Sequence, residues 1–412
     1  MTAPQLVAAL GRRAIADWIV IERASTRETS DVTRALERHE ERRSITLVVH
    51  HDVAQGRGSA RIELATEDAT PAAAIDEAIA VATAAVGPAW KSVPQGAPAK
   101  VALVDPELGS PLAVTAPAGV SVQLVSDLLR EQVAVYTRTG LAARWTAVGL
   151  RARALIATAA RSLEVVVESR RHAEVMATLQ TAFASAAVDL AALATAGRPV
   201  PGHASVILGP DALLHGHGAG VWAAFVTQAD SVTERQGLTR YRPGTPVAAG
   251  ADRASEPLAI DSDGALDFGW QSAPLGDDGG AVRRFSLVER GRAAGLALSS
   301  REAALRGAEP NGGVRNLVVA RGSWDGMPPP GRTIEVRRLR NLAIDPYTGD
   351  ASLDIEVGID HDRGVATAFT GGTLQIDLIA ALAHARRSHA TVRRGAYIGP
   401  AAVWIDAAEL LG

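Results

Sequence analysis

The sequence predicts an α+β protein in two parts: an N-terminal α+β half over residues 1–199 with mixed or antiparallel sheets and Ala-rich helices, and a strand-dominated half over 200–412. Three observations lead there. β-Branched runs such as Ser44–His51 are bounded by glycine turns, the pattern of strands in hairpins. Ala-rich stretches carry helix start and stop signals, Thr70-Pro71 before one and Gly197 with Pro199 after another. Beyond residue 200 the texture changes to short apolar runs between Gly-rich turns, and Gly197–Pro199 is the expected boundary.

In order, Pro4–Ala16 reads as a helix and Asp17–Glu22 as a strand. Ser44–His51 turns at Gly56-Arg57-Gly58 into Ser59–Leu64, a hairpin. Ala72–Val86 is a helix stopped by Gly87-Pro88, and Trp90–Lys100 a linker. Gly119–Leu129 is expected as helix, then Gln132–Arg138, Ala143–Gly149, Ala154–Thr158 and Leu163–Val167 as strands, and His172–Thr195 as a long helix. In the second half Ala204–Leu208, Pro257–Ile260, Val282–Glu289, Gly295–Ser299, Leu317–Ala320, Thr333–Leu339, Leu353–Ile359, Gly364–Phe369 and Tyr397–Ile405 read as strands, with a helix at Leu374–Arg387.

Composition removes several kinds of chemistry. The 412 residues hold 42 basic and 45 acidic side chains, a net charge of -3, which lacks the basic excess of a nucleic-acid-coating surface, so no direct nucleic-acid binding is expected. Cysteine is absent, and with it disulfides, thiol nucleophiles and Cys-ligated metal. The only lysines, Lys91 and Lys100, follow no Gly-rich loop, so there is no phosphate-binding GxxxxGK[ST] loop. A leader is not expected, because basic residues follow rather than precede the short apolar start, and no apolar run reaches membrane-spanning length. These points read as a cytoplasmic protein with no membrane partner.

The segment Leu213-Leu214-His215-Gly216-His217-Gly218-Ala219-Gly220 draws attention because it follows the strand Ala204–Leu208 and precedes the apolar Val221–Val226. Two histidines two residues apart share one face of a strand and could hold one metal; on a helix they point some 200° apart and could not. The flanking Ala212-Leu213-Leu214 and Val221–Val226 suggest helix, which weighs against His215 and His217 as a shared metal pair. Gly216, Gly218 and Gly220 could instead form a phosphate-cradling loop, but the acid such a dinucleotide site needs about 20 residues on, after a second strand, is missing. In the third reading the glycines simply break or kink the helix and one histidine is hydrogen-bonded. Asp261–Asp267 lacks the Gly and the closing Glu of a calcium loop and reads as a turn. His50 and His51 fall on opposite faces of one strand, and no G-x-S-x-G elbow is present.

Taken in order, several stretches resemble the TldD/PmbA family, also described as modulators of DNA gyrase. Gly209-Pro210-Asp211-Ala212-Leu213-Leu214-His215 is similar to the entry into that family's metal motif. Asp277-Asp278-Gly279-Gly280 followed by Arg283–Gly291, then Gly295–Ala304, Asn311–Asn316 and Asp345-Pro346-Tyr347-Thr348-Gly349-Asp350-Ala351-Ser352 resemble its later turns and hairpins. The likeness is clear over about 200–405 and looser over 20–90.

The resemblance implies one of two roles. Catalytic members are metallopeptidases with an HExxxH helix and a Cys ligand, acting in heterodimers on unfolded peptides, whereas their partner subunits lack the ligands. Here only His215 matches that motif; Gly216 stands where the general-base Glu would be and Gly220 where the distal His would be, with no Cys anywhere. The expectation is a metal-free subunit that is no enzyme on its own, resembling the TldE/PmbA type, with zinc only in a TldD-like catalytic paralogue and an unfolded peptide as substrate. Two alternatives stay open: a homo-oligomeric binder of peptide or small ligand, such as a homodimer, without a peptidase partner, and a metallohydrolase with a rearranged His215/His217 site. Glu at 216 and His at 220 would test whether the motif's register survives.

Overall fold

A computed structural model describes residues 1–31, 34, 36–64, 70–92, 96–216, 218–328 and 330–412. Its first sheet is built from β1 (Asp17–Asp31), β2 (Leu36–Val53), β3 (Gly56–Leu64), β4 (Val86–Gly87), β5 (Ser121–Thr137), β6 (Gly140–Ala157) and β7 (Ser162–Ser169), in the order β4-β3-β2-β1-β5-β6-β7. Neighbouring strands are antiparallel throughout. Side-chain alternation gives the sheet two apolar faces. Ile45, Leu47 and Val49 pack against α1 (Ala3–Leu10) and α2 (Pro71–Ala84), while Ile19, Ile21, Val48, Val133 and Val135 pack against Leu275.

The caps act as expected. Thr2 closes a reciprocal capping box with Gln5, and Thr70 Oγ1 accepts from Ala73 N at 3.3 Å ahead of Pro71. Helix α3 (His172–Ala194) lays Leu179, Phe183 and Leu190 on β6 and β7. By length and composition alone α3 could cross a membrane; instead its apolar stripe is buried in this layer. Truncating Phe183 to Ala in that stripe should cost about 3–5 kcal/mol, read as a fall in the urea midpoint.

The second half opens with β8 (Gly202–Leu208), followed by α4 (Pro210–Leu213), α5 (Ala223–Gln228) and α6 (Ser231–Arg235). Next come β9 (Ile260–Asp263), β10 (Phe285–Glu289), β11 (Arg292–Ala293), α7 (Ser300–Arg306), β12 (Asn316–Val319), β13 (Thr333–Ile344) and β14 (Asp350–Asp362). The remainder is β15 (Val365–Phe369), β16 (Thr373–Asp377), α8 (Leu378–His384), β17 (Arg386–Arg387), β18 (Thr391–Arg394), β19 (Tyr397–Pro400) and β20 (Val403–Leu411). One six-stranded sheet runs β11-β10-β9-β12-β19-β18. The other runs β13-β8-β20-β16-β14 and closes on itself, because β14 also pairs with β13. A single large core fills this half, centred on Trp222, Phe225, Tyr397, Leu208 and Leu353.

An α+β architecture with a strand-rich second half is therefore observed, and some elements differ from expectation. Within the expected helix at 119–129, residues 121–129 belong to strand β5 instead: they pair with β6 throughout and with β1 from Val125 on, and these ladders outweigh a weak helical pattern. The expected helix at 374–387 is three elements, because Asp377 caps a new helix through Ala380 N at 3.0 Å and so separates β16 from α8. Residues 295–299 form no named strand, and the first helix ends at Leu10 rather than Ala16.

Candidate functional site

Strand β8 lies between β13 and β20 and delivers the chain to Gly209-Pro210, where proline at the first helical position starts α4. The helix lasts one turn. Gly216, Gly218 and Gly220 then adopt left-handed φ values of 79°, 88° and 53°, so the described residues 214–216 and 218–219 form a loop, and the helix suggested by the flanks is broken at the glycines. The loop is held at both feet by the core, with Leu213 before it and Val221 and Trp222 after it fully buried. Gly220 permits that closure: a Cβ there would lie 1.9 Å from Leu213 O. At Gly216 a Cβ would meet nothing within 4 Å.

His215 lines a cleft of about 380 Å³ between this loop and the outer edge of β7. His217 lies outside the described residues, and so does the candidate pairing of the two histidines that the flanking sequence weighed against. The cleft is dominated by guanidinium groups from Arg338, Arg340 and Arg394, facing Asp211 and Glu356. Arg338 is the hub. Its Nε donates to Asp189 Oδ2 at 2.8 Å and its Nη1 to the Glu164 carbonyl at 3.2 Å. Its Nη2 sits 3.0 Å from Asp211 Oδ2 as an ion pair without hydrogen-bond geometry. Asp211 is also paired with Arg394. Burial pushes the Asp189 carboxyl above its usual range, with the hydrogen bond and charge of Arg338 pulling it back. Burial likewise raises Glu356.

Sequence reasoning missed this network, although it left a trace. On α3 the buried positions Ala182, Ala186, Asp189 and Leu193 recur at helical spacing, so an acid occupies an inward position. On β13 a register shift after Val336 leaves Arg338 buried between the apolar Val336 and Leu339, so a cation likewise occupies a buried position. Two opposite charges at buried positions demand each other, because either one buried alone would be costly.

Zinc of the kind the resemblance implies for catalytic members does not fit these donors. Among the described residues no three His, Asp or Glu side chains converge in metal-binding geometry. The carboxylate nearest the loop in sequence, Asp211, is taken by two arginines, and a dication would face three guanidinium groups.

The other motif stretches are turns that brace the second half. Asp278 Oδ1 accepts from Gly280 N at 3.0 Å. Asn311 is buried and spans its turn, accepting from Leu298 N at 2.8 Å and donating to Leu296 O at 2.8 Å. Asp345 Oδ1 accepts from Tyr347 N at 2.8 Å and Thr348 N at 3.2 Å, folding the β13–β14 connection, and these backbone donors hold its carboxyl below the usual range. Asp263 Oδ1 likewise closes a turn through Ala265 N at 2.9 Å. Replacing Asn311 with Ala strands two buried backbone groups, and a loss of about 2–4 kcal/mol is expected by chemical denaturation.

Comparison with known proteins places these features in context. Residues 201–412, just over half of the chain, match the PmbA/TldA metallopeptidase C-terminal domain. A crystal structure from Thermotoga maritima, described as a proposed modulator of a DNA gyrase, is similar with TM-score 0.75 and 13% identity over 99% of each chain. A second such proposed modulator, from Bacteroides thetaiotaomicron, gives TM-score 0.74 and 13% identity over 99% of this chain and 97% of that one. TldE from Thermococcus kodakarensis gives TM-score 0.72 and 14% identity over the full length of both. No curated protein sequence matches significantly. At such identities the three structures speak for the fold, and the match to the second half assigns the lineage: this chain belongs to the PmbA/TldD family.

Proposed function

We propose that the chain is a metal-free, non-catalytic subunit that pairs with a catalytic TldD-like paralogue and helps seat an unfolded, extended peptide for cleavage. The observation that carries this reading is the glycine loop at His215–Gly220. A metal-binding helix would need side chains at 216 and 220 on consecutive turns, and the loop packs Gly220 where no side chain fits.

The cleft supports a binding role. Strand β7 is the last strand of its sheet, and the carbonyls of Glu164 and Glu168 on its outer edge already accept from Arg338 and from Gly395 N. By the two-residue alternation of a strand, the N–H and C=O of Val166 lie on that same edge between them, inside the cleft. An extended peptide can pair with such an edge through its backbone, which recognises unfolded chains with little regard to sequence.

The test is to express this chain with a neighbouring HExxxH-containing paralogue. Co-purification, and digestion of an unfolded peptide only when both chains are present and no chelator is added, is the expected result. Chelator-sensitive digestion by this chain alone would overturn the proposal.

A further inference from the structure

Beyond its first turn, the outer face of α3 carries no charge. Of its 23 residues only Glu174 and Asp189 are acidic, and none is lysine or arginine. Glu174 is tied into the first turn by Ser169 Oγ at 2.7 Å, and Asp189 is buried. A helix on a protein surface ordinarily turns charged side chains to water on the side opposite its core stripe. Here that side holds Ala177, Thr181, Ala184, Val188 and Ala191, continued by the cap residue Thr195. All six are exposed, Val188 to 55%. Their spacing alternates four and three residues, so at about 100° per residue they fall within roughly 40° of one line down the helix. That line lies opposite Leu179, Phe183, Ala186 and Leu190, which face the sheet.

The chemistry of this face narrows what covers it. Thr181 Oγ1 donates to Ala177 O at 2.9 Å and Thr195 Oγ1 to Ala192 O at 3.3 Å, so burying either residue strands no hydroxyl. The flanking positions, Thr178, Gln180, Ser185, Ala187, Ala192 and Ala194, are uncharged. A membrane-surface helix would carry lysine or arginine beside its apolar face, and a charged partner would find no counter-charge. An identical surface meets neither difficulty. The order of the six residues is also self-complementary. In an antiparallel helix pair about a two-fold axis, Ala184 of one copy meets Val188 of the other, Thr181 meets Ala191, and Ala177 meets Thr195. A β-branched side chain then opposes an alanine in every layer, the alternation that lets two helices interdigitate. A parallel pair would stack alanine on alanine and valine on valine, alternating gaps with bulges. From Ala177 to Thr195 the antiparallel contact runs about 27 Å.

We propose that α3 is the contact through which a second copy of this chain binds, helix against helix and antiparallel, with Val188 of one copy beside Ala184 of the other near the two-fold axis. The face shares no residue with the His215 cleft, and the contact is tested on this chain alone, without a peptidase partner. One helix pair is a small interface, so a reversible dimer with a dissociation constant on the order of micromolar is expected. Sedimentation velocity of the full chain should show the mass rising from monomer to dimer with concentration across that range. V188E places a charge in the apolar seam of both copies and should weaken the dimer roughly tenfold or more. V81E, at an exposed valine on α2, should leave it unchanged. If V188E does not fold, A184E takes its place with the same expected direction. Because the chain has no cysteine, cross-linking reads the register directly. Ala184→Cys together with Val188→Cys should form interchain disulfides on mild oxidation. Ala177→Cys alone should not, since its two copies lie about 27 Å apart along the axis, far beyond a disulfide's reach. The proposal is overturned if the chain stays monomeric into the submillimolar range, if the glutamate variant that folds does not weaken the dimer, or if A177C links as readily as the double variant. A chain that is monomeric alone but loses its paralogue on V188E would assign this face to the paralogue and equally overturn it.

Discussion

Replacing Arg338 with Met is expected to cost about 3–5 kcal/mol, among the largest losses any single change could cause here. The reason lies in what remains. Asp189 is buried on α3, and among the described residues Arg338 is its only partner within 3 Å. Without it the helix carries an uncompensated carboxylate, and Glu164 loses the donor on its carbonyl. The penalty should depend on pH, and its sign can be worked out. Burial already raises Asp189, and losing Arg338 raises it further. A carboxyl whose folded-state pKa lies above its unfolded value stabilises the fold when protonated, and that contribution disappears as pH rises through the folded value. R338M should therefore be less damaged in mildly acidic than in mildly alkaline solution. The double variant Asp189→Leu with Arg338→Met should recover most of the loss, because Asp211 keeps Arg394. Urea titrations of the two single variants and the double variant at two pH values check both points. Equal losses for Arg338→Met and the double variant would contradict the account.

Gly220→His should be comparably harmful, whereas Gly216→Glu should be mild. At 220 the new Cβ would overlap Leu213 O, and φ of 53° adds backbone strain, so about 3 kcal/mol or more is expected. At 216 there is space, and only the left-handed conformation costs, about 1–2 kcal/mol. The pair of changes that the sequence alone would choose to rebuild an HExxxH helix thus does not restore a register; it forces apart a loop closure. Denaturant midpoints of the two variants, with zinc content after dialysis, provide the check. A stable Gly220→His protein holding one zinc would refute this picture of the loop.

Much of the architecture was legible because local signals and tertiary needs agreed. Thr70-Pro71 started a helix, Gly56–Gly58 turned a hairpin, and the stretches resembling family motifs became the turns built by Asp278, Asn311 and Asp345. The expected helix at 119–129 misled because strand pairing is a long-range fact with no local mark. The site was half legible. His215, Gly216 and Gly220 stood out by contrast with a motif, and the structure puts His215 at the rim of a cleft. The charges linked through Arg338 beneath that cleft come from four separate stretches, Asp189, Asp211, Arg338 and Arg394, and only the fold brings them together. What the sequence did hold was a pair of warnings, one acid and one base each written among apolar positions.

The closed ladder β13-β8-β20-β16-β14 has a kinetic side. Strand β8 hydrogen-bonds to no neighbour nearby in sequence: Val206 pairs with Ile334 on one edge and with Ile405 on the other. Both partners lie more than a hundred residues downstream. As the polypeptide emerges from the ribosome, the first strand of the ring has to wait for the rest, with its apolar residues and backbone edge unsatisfied. Closing so long a loop is slow, and an unpaired strand invites the wrong neighbour in the meantime. The second half is therefore expected to be the late step in refolding and the part most in need of a chaperone, while the sequential hairpins of the first sheet can zip up as they are made.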